Sequence, residues 1–263
     1  MDLGLRGRNA LIGGASAGLG RASAERLAAE GCRLVLWSRG GDALEKTAAE
    51  IRHDYSIEVT TVAADAYDPA TAARVAEAAA KAVGHVDIVV LNSGGPIPSE
   101  ATKTDPNEWR RAFQLLAVTP IELTTLLLPG MRERKWGRVV SIMSSGIRNP
   151  IPELVYSGAG RSALAAFLKT ISLEVMADGV TVNGVMPGRI ATARIASLDQ
   201  ARADKSGRTA AEIRAEFERA IPAGRYGEPD ELGAYVAWLC SDSARYQTGT
   251  IVPIDGGSLR TLP

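Results

Sequence analysis

The sequence predicts an α/β domain of the doubly wound kind, with one parallel sheet of about seven strands and helices on both faces. Two observations carry this expectation. Short apolar runs rich in β-branched residues alternate with longer stretches of helical periodicity, and such alternation demands a parallel sheet joined by right-handed crossovers. The first of these runs also passes straight into a helix through a glycine-rich turn, Gly14-Ala15-Ser16-Ala17-Gly18-Leu19-Gly20.

Taken in order, the first strand is expected at Asn9–Ile12, and the helix after the glycine turn at Gly18–Glu30. Gly31 then stands where a left-handed cap ends a helix. The second strand, Arg33–Trp37, is an apolar run, and Asp42–Arg52 after it is amphipathic. Glu58–Ala63 and Ile88–Asn92 are the third and fourth strands, separated by the helical pattern Pro69–Val83. A long helical stretch, Asp105–Arg134, contains Pro120, which should bend or split it because proline lacks the amide the helix needs. Arg138–Met143 and Thr181–Val185 are the next strands, with a helix over Ser157–Met176 between them. Ala191–Gly227 is irregular and charged, with a helical piece near Ala210–Ala220; following a strand end, it is expected to be a substrate lid. A helix at Pro229–Ser241 and a strand at Ile251–Ile254 complete the pattern. No repeat, low-complexity tract or linker divides residues 1–263, which read as one domain.

Composition narrows the function classes. Hydrophobic residues are 46% and charged residues 23%, as in soluble globular proteins, and the formal net charge is zero, so nothing points to nucleic acid or a membrane surface. No basic-then-apolar leader opens the chain and no apolar run approaches the ~18 residues of a membrane span, so a cytoplasmic protein is expected. Cys32 and Cys240 read as buried thiols of a reducing compartment, without a disulfide. With His53 and His85 as the only histidines, neither a zinc site nor a Ser-His triad is expected, and no metal is assigned.

The glycine turn carries the first chemistry. Glycine allows the tight turn and lets backbone approach a pyrophosphate, while the following helix offers unpaired N–H groups and its positive end. In this strand–turn–helix setting the segment reads as the dinucleotide cradle of a Rossmann-type domain, with Gly14, Ser16, Gly18, Leu19 and Gly20 at the phosphates. A carboxylate at the end of the second strand would select NAD. This chain has Ser38 and Arg39 there, and Arg21 just after the glycines, a set suited to a 2′-phosphate. NADP(H) is the expected cofactor.

With these residues in view, the chain resembles the short-chain dehydrogenase/reductase family over nearly its whole length. The glycine turn is similar to the family's T-G-x-x-x-G-x-G, with Gly13 where Thr is usual. Leu91-Asn92-Ser93-Gly94 stands at the family's N-N-A-G, and Asn183 to Thr192 at the segment that closes over the nicotinamide. Gly224–Gly257 is similar to the family's G-R-x-G-x-P…G…D-G-G ending. The resemblance implies that Asp65 and Ala66 meet the adenine, and that Asn92 and Gly94 flank the nicotinamide ribose. Along Pro187-Gly188, it implies that the Ile190 backbone and the Thr192 hydroxyl anchor the nicotinamide amide.

The catalytic pattern departs from the family. Members use an Asn, a Ser and a Tyr-x-x-x-Lys pair, in which the tyrosine exchanges a proton with the substrate oxygen and the lysine helps lower its pKa. Here the serine falls on Ser144, with Ser145 as neighbour, but the Asn position holds Leu116. Tyr156 is followed four residues on by Gly160, and the first basic residue is Arg161. Landmarks downstream (Phe167, Lys169, Glu174) register Arg161 on the Lys position and Ser157 on the Tyr position. Residues four apart on a helix lie about 40° apart and residues five apart about 140°, so Tyr156 and Arg161 cannot share a face of a regular helix. Tyr156 could act only through a bulge or from just before the helix; otherwise it is a partly buried aromatic at the helix entrance.

Three functions remain open on this pattern. The first is an NADP(H)-dependent reductase of a small carbonyl compound, such as a 3-oxoacyl thioester, to its alcohol. Ser144 would polarise the carbonyl, and Tyr156 or a water ordered by Ser157 and Arg161 would supply the proton. The second is a catalytically degenerate NADP-binding sensor or scaffold. The third, a halohydrin-dehalogenase-like lyase, fits less well because the nucleotide motif is kept. The resemblance also implies a homotetramer or homodimer, compatible with the apolar faces Leu123–Leu128 and Leu164–Leu168.

Overall fold

In the computed structural model, which describes residues 2–260, the strands are β1 (Asn9–Gly13), β2 (Arg33–Ser38), β3 (Val59–Ala63), β4 (Ile88–Leu91), β5 (Gly137–Ile142), β6 (Val180–Pro187) and β7 (Ile251–Ile254). They form one seven-stranded parallel sheet in the order β3-β2-β1-β4-β5-β6-β7. The expected strands are all present to within a few terminal residues. The chain winds outward through β1, β2 and β3, then returns to place β4 beside β1. That reversal opens a crevice at the carboxyl ends of β1 and β4, where ligands of such sheets bind.

Alternation along the strands decides which helix covers which face. Ile12, Leu34, Leu36, Ile88, Val90 and Val140 point to a core closed by α1 (Gly18–Ala29), α2 (Gly41–Tyr55) and α9 (Pro229–Cys240). Leu11, Val35, Val89 and Val139 point the other way, onto α3 (Thr71–Val83), the composite helix after β4, and α6 (Val155–Val175). Burying each such side chain is worth roughly 1.5–3 kcal/mol, so the two cores fix the sheet and, through it, the ends of β1, β4, β5 and β6. Cys32 and Cys240 are free and buried, as expected, and burial pushes the Cys32 thiol up to about 12.

The long helix is split as Pro120 predicts. It runs as α4 (Pro106–Phe113), a π-helical turn at Gln114–Val118, and α5 (Thr119–Glu133). Pro120 has no amide for the Leu116 carbonyl, and the Thr119 amide reaches back to Gln114 instead. By length and composition Pro106–Glu133 could cross a membrane; here it buries Leu115, Leu116, Leu123, Leu128 and Met131 in the core.

The segment 191–227, expected to be a substrate lid, contains one helix that sequence periodicity missed. α7 (Ala193–Ser206) precedes α8 (Ala210–Ala220), the piece that was expected. Only Asp199 and Ala203 of α7 are buried, so it shows no apolar stripe, and its signal is the Thr192 cap, whose hydroxyl accepts from the Ile195 amide. α6 begins at Val155, two residues before its expected start, and this sets the orientation of Tyr156.

Candidate active site

The glycine turn is shaped by close approaches. Gly14 and Gly18 have φ of 58° and 57°, a left-handed backbone that favours glycine. A Cβ on Gly14 would stand 2.6 Å from Asn92 Nδ2, and one on Gly20 would stand 2.4 Å from the Gly14 carbonyl oxygen. Asn92 Nδ2 donates to the Gly13 carbonyl at 3.2 Å and so joins the ends of β1 and β4. Ser16 is held to α2 by the Thr47 hydroxyl, which donates to its carbonyl at 3.1 Å. At the start of α1, Ala17 offers no side-chain cap and the first turn has no acid. The amides of Gly18, Leu19 and Gly20 are thus left for an anion, as a pyrophosphate requires.

At the end of β2, Ser38 is buried and its hydroxyl has no partner. Arg39 is exposed and no carboxylate lies within ion-pairing distance of it among the described residues. Its guanidinium sits 6.0 Å from the centre of the Tyr67 ring and 3.9 Å from where a Cβ on Gly94 would be. An unpaired guanidinium beside an orphaned hydroxyl fits a 2′-phosphate. Arg21, grouped with them from the sequence, is different: it pairs with Glu25 at 2.7 Å and Glu50 at 2.9 Å, so its charge is already balanced. Asp65 organises the turn after β3, its carboxylate accepting from the Tyr67 amide at 3.1 Å. Ala66 is buried beneath, with its carbonyl taken by the Thr119 hydroxyl.

On the other side of the crevice, Pro187 ends β6, and Gly188 packs where a Cβ would stand 2.7 Å from Asp255 Cβ. Ile190 bridges Gly227, but the bonds run from Ala191 N–H and to the Arg189 carbonyl, so the amide and carbonyl of Ile190 itself are left out of that pairing. Those are the groups a nicotinamide amide would need. The Thr192 methyl carbon lies 3.6 Å from a Cβ position on Gly18, which brings the base of the lid onto the glycine turn. The Thr192 hydroxyl accepts from the Ile195 amide and keeps its own proton to donate.

At the reacting end, α6 lies along the carboxyl end of β5. Arg161 donates to the Ile142 carbonyl at 2.7 Å, and one turn earlier Gly158 faces the Gly146 carbonyl. Ser157 and Arg161 share this side of the helix. Ser144 follows β5, and its hydroxyl accepts from the Gly146 amide at 3.2 Å, opening the short 3₁₀ turn Ser145–Ile147. The Nε of Arg161 is buried without a partner and no acid pairs with the side chain among the described residues. Burial pushes its pKa down to about 10. Arg161, Asn92, Ser93, Ser141, Leu116 and Trp37 border a cavity of about 20 Å³, room for roughly one water.

Tyr156, one of the expected proton donors, has its hydroxyl bonded within the scaffold. It lies in the first turn of a regular helix, 1% exposed, on the stripe that continues through Gly160 and Leu164 toward the core. Its hydroxyl accepts from the Asp105 amide at 2.7 Å, and its ring meets Trp109 edge-on at 4.7 Å. Neither a bulge nor a position ahead of the helix turns it toward Ser144; it is more deeply buried than an entrance aromatic. Leu116, expected at the family's Asn position, packs against α6, where a Cβ on Gly160 would stand 3.0 Å from its Cβ. Leu116 thus occupies the notch that Gly160 leaves. Asp105, where the sequence starts the long helix, caps α4 as Asp-Pro-Asn-Glu signals; its bond to Tyr156 was not expected.

A family model described as enoyl-(acyl carrier protein) reductase matches residues 14–258. The chain belongs to the short-chain dehydrogenase/reductase family. Among reductases of this family, levodione reductase of Leifsonia aquatica is 34% identical, over 95% of this chain and 93% of that protein. The 3-oxoacyl-[acyl-carrier-protein] reductase FabG of Aquifex aeolicus is 28% identical over 98% of this chain and 99% of its own. The crystal structure of L-sorbose reductase from Gluconobacter frateurii, complexed with NADPH and L-sorbose, superposes with a TM-score of 0.95 at 30% identity, covering 100% of both chains.

Proposed function

We propose that this short-chain dehydrogenase/reductase is an NADPH-dependent reductase that turns a small carbonyl compound into its alcohol. The observation that carries the reading is the stripe of Ser157 and Arg161 on α6, set along the end of β5 beside Ser144. The names of the relatives, reductases of 3-oxoacyl thioesters, a dione and a ketose, support this class of substrate. So does the NADPH bound in L-sorbose reductase.

The bound dinucleotide would supply hydride to the carbonyl carbon. Gly14, Ser16, Gly18, Leu19 and Gly20 would hold its pyrophosphate, Ser38 and Arg39 its 2′-phosphate, and Asp65 and Ala66 its adenine. Asn92 and Gly94 would border the ribose, with Pro187, Gly188, Ile190 and Thr192 placing the nicotinamide. The hydroxyl of Ser144 donates to the substrate oxygen and holds it where negative charge develops. Tyr156 is committed to Asp105, so a water ordered by Ser157 and Arg161 gives the proton, the guanidinium stabilising the hydroxide left behind until solvent neutralises it. Residues 1–263 act as one domain with residues 191–227 as the lid.

The engagement of Tyr156 and the apolar Leu116 favour one competing reading, an NADP-binding sensor or scaffold without turnover. NADPH consumption with 3-oxoacyl thioesters, diketones and quinones separates the two. Consumption supports the reductase, and NADPH binding without consumption on the whole panel supports the sensor. We also propose a homo-oligomer in the cytoplasm. Leu123, Leu128, Leu164 and Leu168 of the expected faces are buried in this chain's own core, so the contact would use exposed Val118 and Leu126 of the α4–α5 helix and Leu173 of α6.

A further inference from the structure

We propose that the carbonyl substrate carries a carboxylate and that Arg194, at the mouth of the cleft, binds it; this rests on the reductase reading above. Arg194 lies in the first turn of α7, and its guanidinium reaches from the lid to the loop after β4. There it stands 3.4 Å from the Pro96 carbonyl oxygen, and 3.2 Å from where a Cβ on Gly95 would be. These two segments follow the carboxyl ends of β4 and β6, the strands on either side of β5, whose carboxyl end leads to Ser144.

Arg194 has no carboxylate within ion-pairing distance among the described residues. Its polar contact is with a neutral carbonyl at the long end of hydrogen-bond range. The other side-chain tie between lid and rim, Lys205 to Glu153 at 3.0 Å, is by contrast a complete ion pair. Nor does Arg194 serve its own helix. The first turn of α7 holds no acid, and the positive end of a helix disfavours a cation there. Gly95 keeps open the space in front of the guanidinium, since a side chain at that position would press on it.

The charges around the mouth point the same way. Glu100 is paired with Lys103, Glu153 with Lys205, and Asp199 with Arg189 and the Tyr226 hydroxyl, while Asp105 caps α4. Arg148, which follows the 3₁₀ turn after β5, meets the Ile251 carbonyl. These anions already have partners, whereas Arg148 and Arg194 pair with no acid among the described residues. A 2-oxo or 3-oxo acid would set its carboxylate on the planar fork of Arg194, an arrangement that charge-assisted pairs favour, while its ketone reaches Ser144.

The test compares 2-oxobutanoate, acetoacetate and levulinate with their methyl esters, using NADPH and the wild-type, Arg194→Gln and Arg194→Lys proteins. For at least one pair the wild type should prefer the acid in kcat/KM by about 10- to 100-fold, the size of a hydrogen bond to a charged group. The preference should lie mainly in KM, vanish in Arg194→Gln, return in part in Arg194→Lys, and leave NADPH affinity unchanged. Equal use of acid and ester by the wild type, or a preference that survives Arg194→Gln, overturns the assignment. If none of the six is reduced while a thioester, diketone or quinone is, the carboxylate assignment is overturned and the reductase reading stands. If nothing in either set is reduced, the reductase reading fails, and calorimetry of 3-hydroxybutyrate against its methyl ester on the NADP⁺ complex tests Arg194 separately. Tighter binding of the acid, lost in Arg194→Gln, then upholds the carboxylate site; equal or absent binding overturns it.

Discussion

The Tyr156 hydroxyl accepts a 2.7 Å hydrogen bond from the backbone amide of Asp105, tying the first turn of α6 to the cap of α4. This phenol is therefore part of the scaffold, and its removal should register in stability before it registers in catalysis. Tyr156→Phe leaves a buried amide unpaired, a cost of about 1–3 kcal/mol. Denaturant unfolding should show that loss, while kcat/KM at a temperature where the variant is folded stays within about twofold of wild type.

A substitution at the facing pair should be no kinder. Gly160→Ala sets a methyl group 3.0 Å from Leu116 Cβ in a filled core, and overpacking of this kind costs about 1–3 kcal/mol. A lowered unfolding midpoint measured by circular dichroism checks it. Leu116→Ala in the same chain should recover part of the loss, since the two sites share one space.

How much of this was readable beforehand differs from element to element. The strands and the glycine turn follow from apolar alternation and from backbone positions that only glycine suits, so both were legible. For α6, residues downstream predict Ser157 and Arg161 at the family's Tyr and Lys positions, and the structure has a regular helix there with Arg161 on the Ile142 carbonyl. The destination of Tyr156 was not legible. It depends on Asp105, 51 residues away in sequence, and no local pattern reports such a partner. α7 was hidden for another reason: its stability comes from the Thr192 cap and a buried Asp199, without an apolar stripe. Arg21 was misread because its partner Glu50 sits on the neighbouring helix.

The proposed 2′-phosphate contact is open to test at Arg39. Arg39→Ala removes the one unpaired guanidinium at the end of β2 and should weaken NADPH binding by about 10- to 100-fold, as expected for a charged hydrogen bond. NADH binding should change little. Fluorescence titration of both reduced cofactors measures the ratio; an equal loss for both would assign Arg39 to the scaffold.

Arg161 should show opposite signs in stability and activity. Its Nε is buried, no acid pairs with it among the described residues, and burial has pulled its pKa down to about 10. Arg161→Met relieves that desolvation, so stability should be unchanged or higher by about 1 kcal/mol. Turnover should fall by about 100-fold or more, the usual scale of a lost acid–base element. Unfolding curves and steady-state rates on one preparation give both signs.

The segment 191–227 should loosen at high pH. Burial, with the hydrogen bond donated to Asp199, raises the Tyr226 phenol from 10 to about 12. A raised pKa means that its contribution is full below pH 10 and is lost as pH rises through 12. Stability should therefore fall across that window, and less steeply in Tyr226→Phe. Proteolysis within 191–227 should accelerate over the same range.

The most direct test follows NADPH absorbance with wild-type, Tyr156→Phe and Ser157→Ala proteins on the carbonyl panel. The account predicts consumption by wild type and Tyr156→Phe alike, and a loss of about 100-fold in Ser157→Ala with NADPH affinity intact. Loss of turnover in a folded, NADPH-binding Tyr156→Phe protein, with Ser157→Ala unaffected, would contradict it.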